Sequence, residues 1–239
     1  TLVQLREKEL PEADVQKEAE ELLELCHRYG VKLILDDDVE LAAKVGADGV
    51  HIGQSDMELA HAREILGPDK IIGVTAKTVE QAKAAEAGGA DYLGSGAVFG
   101  STTKKDAIPM KHELLEEICH SVKIPVVAIG GVSAENINQL VGCDVAGVAV
   151  VSAIFAQDEI ETATEALKAQ VQDMLAKTET FDALYQKLMP LLQGKKGVLF
   201  DMDGTLIDSM PMWRTLDVEY IGRYGIHPDM EFHHQVATM

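Results

Sequence analysis

The run GSGAVFGSTTKKD at residues 94–106 follows an apolar, strand-like stretch. It brings glycines, the hydroxyls of Ser101, Thr102 and Thr103, and the ammonium groups of Lys104 and Lys105 within a few residues of one another. Backbone N–H groups, hydroxyl donors and cations grouped in this way can hold a phosphate or pyrophosphate. Near the start, Gln4-Leu5-Arg6-Glu7-Lys8 alternates, so Gln4, Arg6 and Lys8 point the same way as a strand leaves its sheet; a solvated strand end is the plain alternative. Asp36-Asp37-Asp38 precede VELAAKV, where aspartates cap a helix and interact well with its dipole. Capping accounts for one or two of them, and a hard divalent cation with oxygen ligands would relieve the repulsion of three adjacent carboxylates. Asp56 follows HIGQS at another expected helix start and has the same capping alternative. His51 reads as a strand residue satisfied by a neighbour rather than as a general base. Gly130-Gly131 and Val151-Ser152 follow two later apolar runs, as amide-rich loops or as tight turns. Jointly, the carboxylates, the cations and the two amide-rich loops suggest a site for a diphosphate beside a monophosphate.

These residues need a scaffold, and the hydrophobic pattern supplies one. Val15, Ala19, Leu22, Leu23 and Cys26 fall at helical spacing before Gly30, and VKLIL (31–35) follows at once. The cycle recurs through GVHIG (49–53), KIIGV (70–74), DYLGS (91–95), IPVVAI (124–129) and AGVAVV (146–151), which with TLVQL (1–5) predicts seven strands. Gly46-Ala47-Asp48 and Gly89-Ala90-Asp91 repeat as helix-end turns feeding strands, as a parallel sheet of βα units requires. Strict alternation favours a TIM (β/α)8 barrel over an open doubly wound sheet, and the polar residues above then share the C-terminal rim where such barrels place their chemistry. An eighth strand is expected in a βα unit before Thr1, so the reading is a barrel lacking its first unit.

Composition narrows the function classes. The 239 residues are 46% hydrophobic, enough for a sizeable core, and carry a net charge of -19 with no broad basic patch, which disfavours nucleic acid and anionic membrane as partners. Cys26, Cys119 and Cys143 sit in apolar contexts and read as reduced core thiols, which suggests the cytosol. No segment approaches the roughly 18 to 20 apolar residues of a membrane span.

Residues 4–8, DDDVELA, DGVHIGQ, STTKKD, VVAIGGV and VVSAI, in this order and spacing, resemble the thiamine phosphate synthase family over about residues 1–175. The resemblance implies that Gln4, Leu5, Arg6, Glu7, Lys8, Asp36, Thr75 and Lys104 hold hydroxymethylpyrimidine diphosphate, with Arg6, Lys8 and Lys104 stabilising the leaving group. It also implies Mg2+ on Asp37 and Asp56, and thiazole phosphate on Ser101, Thr102, Thr103, Gly131, Val151 and Ser152. Asp36 stands where the family often has asparagine and Thr75 where it often has serine. The alternatives are the related thiazole tautomerases, which share the barrel but lack the diphosphate, and a non-catalytic fragment. The partners implied are phosphorylated small molecules, and the sequence leaves a homo-oligomer open.

Residues 178–194 read as an amphipathic linker interrupted by Pro190, and GVLFDMDGTLIDS then opens a new strand and turn. This segment resembles the first motif of haloacid dehalogenase superfamily phosphatases, a HAD-like Rossmannoid fold. The resemblance implies Asp201 as nucleophile, Asp203 as general acid/base and Mg2+ between phosphate and carboxylates. The expected organisation is a synthase barrel (1–177), a linker helix (178–194) and the start of a hydrolase domain (195–239), as a piece of a bifunctional protein.

Overall fold

Each apolar run of the sequence becomes one strand of a single parallel sheet. The computed structural model describes residues 2–100 and 109–192, with side chains through 178. Its strands are β1 (Leu2–Leu5), β2 (Lys32–Asp36), β3 (Gly49–Ile52), β4 (Ile71–Thr75), β5 (Tyr92–Gly96), β6 (Val126–Ile129) and β7 (Gly147–Ala149), hydrogen-bonded in chain order and all parallel. A parallel pair needs a crossover, and helices α1 (Glu12–Arg28), α2 (Val39–Val45), α3 (Leu59–Leu66), α4 (Val79–Ala87) and α5 (His112–Ser121) provide five of them. The result is a curled, TIM-like sheet of seven strands.

Alternation along the strands separates two faces. Leu33, Leu35, Val50, Ile52, Ile72, Val74, Leu93, Val126 and Ala128 point toward the helices and join one core with Ala19, Cys26, Ala62, Ala82, Leu115 and Ile118. Cys26, Cys119 and Cys143 are buried and form no disulfide among the described residues, as expected of core thiols. The other face carries Gln4, Asp36, His51, Thr75 and Tyr92.

Two repeated turns hold the strands in register. Asp48 accepts from the Leu33 amide (2.9 Å) while its own amide donates to the Leu33 carbonyl (3.0 Å). Asp91 does the same to Ile72, at 2.7 and 2.8 Å. The Gly-Ala-Asp repeat is thus a reciprocal clip that fastens the start of one strand to the start of its neighbour.

The β6–β7 crossover departs from the expected pattern: it contains only a 3-10 turn, Ile137–Leu140, in place of an α-helix. Asn136 takes the Ser133 amide on its side-chain oxygen (2.9 Å) and donates to the Gly131 carbonyl (2.8 Å), local bonds that compete with an α-helical ladder. A short helix α6 (Ser152–Phe155) and a long one, α7 (Ile160–Leu192), follow β7. Leu167, Met174 and Thr178 of α7 are buried, and Thr178 Oγ1 accepts from the Gly142 amide at 3.1 Å. The chain divides into two compact units, Thr1–Leu188 and Met189–Met239, and α7 contains most of the segment read as a linker. No helix among the described residues is long and apolar enough to cross a membrane.

Candidate functional site

The inward face converts sequence spacing into a ring of chemistry. Strand register aligns Asp36 with His51 and His51 with Gly73, while Gly73 pairs with Tyr92, so four neighbouring strands contribute one row. Thr75 stands one inward-facing position further along β4, opposite Gly94.

The three consecutive aspartates do three different jobs. Asp36, at the end of β2, accepts from Gln4 Nε2 at 2.6 Å and pairs with Arg6 Nε at 2.9 Å. Asp37 takes a left-handed backbone (φ 67°), which turns its carboxylate to Lys8 Nζ at 2.6 Å. Asp38 caps α2 by accepting from the Leu41 amide at 2.8 Å. The expected crowding of three carboxylates is therefore relieved by Arg6, Lys8 and a helix start.

Asp56 is not a helix cap. The α3 helix begins at Leu59 behind Glu58, and Asp56 instead folds back so that its Oδ2 accepts from the Gly53 amide at 2.6 Å. A Cβ at position 53 would come within 2.8 Å of that oxygen, so the glycine makes room for the carboxylate. Asp56 also stands beside the Asp37 carboxylate and interacts with it. Burial alone would raise the Asp37 pKa, but Lys8, Asp56 and Arg6 outweigh it and hold the group below the ordinary carboxylate value.

Within residues 4–8 the side chains diverge. Gln4, Arg6 and Lys8 reach the aspartates, whereas Leu5 packs into the core and offers the site only its backbone. The Glu7 carboxylate accepts from the amides of Lys8 (2.7 Å), Glu9 (2.7 Å) and Leu10 (3.3 Å), which lower its pKa and tie the loop that carries Lys8. A cavity of 330 Å³ is lined by Leu5, Leu10, Val15, Leu35 and Leu41 together with Glu7, Lys8, Glu12, Asp36 and Asp38.

His51 is buried between two hydroxyls: Nδ1 is 3.0 Å from the Tyr92 hydroxyl and Nε2 is 2.9 Å from Thr75 Oγ1. Burial holds its pKa down to about 4, opposed by nearby Asp37, so the ring is neutral at pH 7, a residue satisfied by neighbours as the sequence suggests. Gln54 Nε2 donates to the Thr75 carbonyl at 2.6 Å and steadies the end of β4. Tyr92 escapes sequence reasoning. The available signal is glycine inside strands, since a Cβ at Gly73 would lie 2.1 Å from Tyr92 Cζ and one at Gly94 would lie 2.9 Å from His51 Cε1.

At the far end of the row, Gly130 and Gly131 have φ of 97° and 66°. Cβ atoms there would meet Ala97 at 2.5 Å and the Phe99 carbonyl at 2.8 Å, so close approach of the β5 extension requires glycine. The Met110 amide donates to the Ala97 carbonyl at 2.6 Å and pins the two ends of the lysine-bearing loop together. Val151 is exposed beyond β7 and Ser152, also exposed, begins α6. Ser101, Thr102, Thr103 and Lys104 lie outside the described residues, as do Asp201 and Asp203.

The chain and its fold have counterparts among known proteins. The family model described as thiamine monophosphate synthase matches residues 1–154. Thiamine-phosphate synthase 2 of Streptococcus pneumoniae is 46% identical over 176 residues, covering 74% of this chain and 84% of that protein. The thiamine-phosphate synthase of Clostridium acetobutylicum is 46% identical over 181 residues, 75% of this chain and 83% of that protein. Among solved structures, thiamine phosphate pyrophosphorylase from Pyrococcus furiosus superposes with a TM-score of 0.68 at 39% identity, covering 73% of this chain and 84% of that one.

Proposed function

Because this chain belongs to the thiamine monophosphate synthase family, we propose that the rim around Asp36, Asp37 and Asp56 is where its reaction takes place. The activity is that of a thiamine-phosphate synthase, a transferase that joins hydroxymethylpyrimidine diphosphate to thiazole phosphate and releases pyrophosphate. One observation carries the placement: Gln4, Arg6 and Lys8 converge on Asp36 and Asp37 at the C-terminal rim, with Asp56 against Asp37.

In this reading the diphosphate meets Arg6, Lys8 and Lys104, and Gln4, Asp36 and Thr75 orient the pyrimidine end. Pyrophosphate leaves the pyrimidine methylene, whose electron-rich ring carries the developing positive charge, and the thiazole nitrogen then attacks that carbon. No side chain needs to remove a proton from carbon, which fits a buried, neutral His51 committed to two hydroxyls. The demand falls on cations that neutralise the departing diphosphate and on loops that position two substrates. Gly131, Val151, Ser152 and residues 101–103 take the thiazole phosphate.

Asp37 and Asp56 suit Mg2+, which is commonly held by one or two carboxylates together with substrate phosphate oxygens. Among the described residues no group of three or more His, Cys, Asp or Glu side chains is placed to hold a metal ion. When bound there, Mg2+ would neutralise charge on the leaving diphosphate. Lys104→Ala and Asp56→Asn are each expected to lower turnover by orders of magnitude; near-normal rates in both would remove this leaving-group account.

We further propose that GVLFDMDGTLIDS belongs to a haloacid dehalogenase-type phosphatase unit, making the protein bifunctional. The sequence motif alone supports this. Asp201 would attack phosphorus and Asp203 would serve as acid/base, with Mg2+ neutralising the approaching charges. Its substrate would be a thiamine-pathway phosphate; a marked preference of the intact hydrolase for unrelated sugar phosphates would contradict that.

A further inference from the structure

The inward row contains a chain of three groups, Tyr92 hydroxyl, His51 imidazole and Thr75 hydroxyl, linked at 3.0 and 2.9 Å. The two strand glycines beneath it exist to admit these side chains, since added Cβ atoms would collide with the Tyr92 ring and with His51. A neutral imidazole carries one N–H and one lone pair, so the two bonds must run in one direction along the chain. A phenol is the better donor and the poorer acceptor, because its lone pair is shared with the ring, whereas an aliphatic hydroxyl accepts well. The favoured arrangement therefore has Tyr92 O–H donating to Nδ1 and Nε2–H donating to Thr75 Oγ1. A charged ring would also donate from Nε2, so the direction at Thr75 does not depend on titration.

With one lone pair occupied by Nε2–H, and its backbone carbonyl held by Gln54 Nε2 at 2.6 Å, Thr75 has its own O–H left to direct into the half-buried mouth of the sheet. We propose that Tyr92 and His51 are positioning residues that act through Thr75, fixing its hydroxyl as a hydrogen-bond donor toward an acceptor atom of the pyrimidine diphosphate. This rests on the placement of Thr75 at the pyrimidine end of that substrate's site, as proposed above. It adds that the site is polarised by a relay from the two flanking strands, β3 and β5, and that the Thr75 hydroxyl serves as a donor.

The test is a double-mutant cycle on the full chain, reading dissociation constants for pyrimidine diphosphate and for thiazole phosphate by calorimetry in the presence of Mg2+, with a thermal melt of each variant. Thr75→Val, His51→Leu and Tyr92→Phe are each expected to weaken pyrimidine diphosphate by about tenfold while leaving thiazole phosphate within about twofold. His51→Gln, whose side-chain amide can still donate, is expected to restore most of the affinity lost in His51→Leu. In a Thr75→Val background, neither Tyr92→Phe nor His51→Leu should cost anything further. Tyr92→Phe keeps the ring in its hollow and so decides the matter even if His51→Leu unfolds. A loss from Thr75→Val with additive or absent effects of Tyr92→Phe would overturn the relay alone. Equal weakening of both substrates by Tyr92→Phe, as from general loosening of the fold, would also overturn it. An unchanged Thr75→Val, or no binding of the diphosphate by the parent chain, would overturn the relay together with the placement of Thr75.

Discussion

Lys8 Nζ lies 2.6 Å from Asp37 Oδ2, and the same carboxylate stands beside Asp56. Lys8 is thus held on one of the two carboxylates proposed to hold Mg2+, within reach of a diphosphate bound there. The side chains of Lys8 and Asp37 are 53% and 30% exposed, so the pair itself contributes little to stability. Lys8→Met is expected to weaken pyrimidine diphosphate by about ten- to a hundredfold, as for loss of a charge-assisted contact, while Tm stays nearly constant. Calorimetric titration beside a thermal melt checks both halves.

Acid should destabilise the fold through His51. The folded pKa is about 4 against an ordinary 6.5, so between these values the unfolded chain binds a proton that the folded chain refuses. Stability contributed by this group is complete above 6.5 and is lost as pH falls toward 4, by on the order of 3 kcal/mol. Asp37, with its lowered pKa, loses its contribution only below the ordinary carboxylate value of 3.8, outside that window. Urea unfolding at pH 7 and pH 5 should show a smaller loss in His51→Gln than in the parent.

Glycine in the middle of β4 is a steric requirement. Gly73→Ala would place Cβ 2.1 Å from Tyr92 Cζ, where the ring is hemmed in, and is expected to cost about 1–3 kcal/mol. Gly94→Ala meets His51 at 2.9 Å and should cost less. Denaturant midpoints of the two variants give the ordering.

The Gly-Ala-Asp clip predicts a distinction between two substitutions. Asp48→Ala strips the acceptor from the buried Leu33 amide, for a loss of about 1–3 kcal/mol. Asp48→Asn retains a carbonyl oxygen there and should lose distinctly less. Comparing the two by equilibrium unfolding isolates the amide bond from the charge interactions with His27 and Lys32.

Much of this architecture is legible before any coordinates. The seven β-rich runs and the positions of Gln4, Arg6, Lys8 and the aspartates along them depend on local pattern, and each run forms the strand it suggests. The different fates of Asp36, Asp37 and Asp38 are not local. They follow from a positive φ at Asp37 and from which cation stands across the β1–β2 boundary. Asp56 mimics a capping residue in sequence because it lies just before a helix, yet its carboxylate is taken by the Gly53 amide. Tyr92 was invisible because its contact with His51 spans a glycine on the intervening strand, a relation that only inter-strand register creates. The β6–β7 crossover lacks an α-helix because the Asn136 side chain satisfies the backbone locally.

The central claim, that this rim supports pyrophosphate departure and thiamine phosphate formation, is tested most directly by incubating the chain with pyrimidine diphosphate, thiazole phosphate and Mg2+. The account predicts thiamine phosphate and pyrophosphate in equal amounts, abolished by EDTA and by Asp56→Asn. Formation of product undiminished by both treatments would contradict the proposed site, and a folded chain that binds both substrates yet forms no thiamine phosphate would contradict the mechanism.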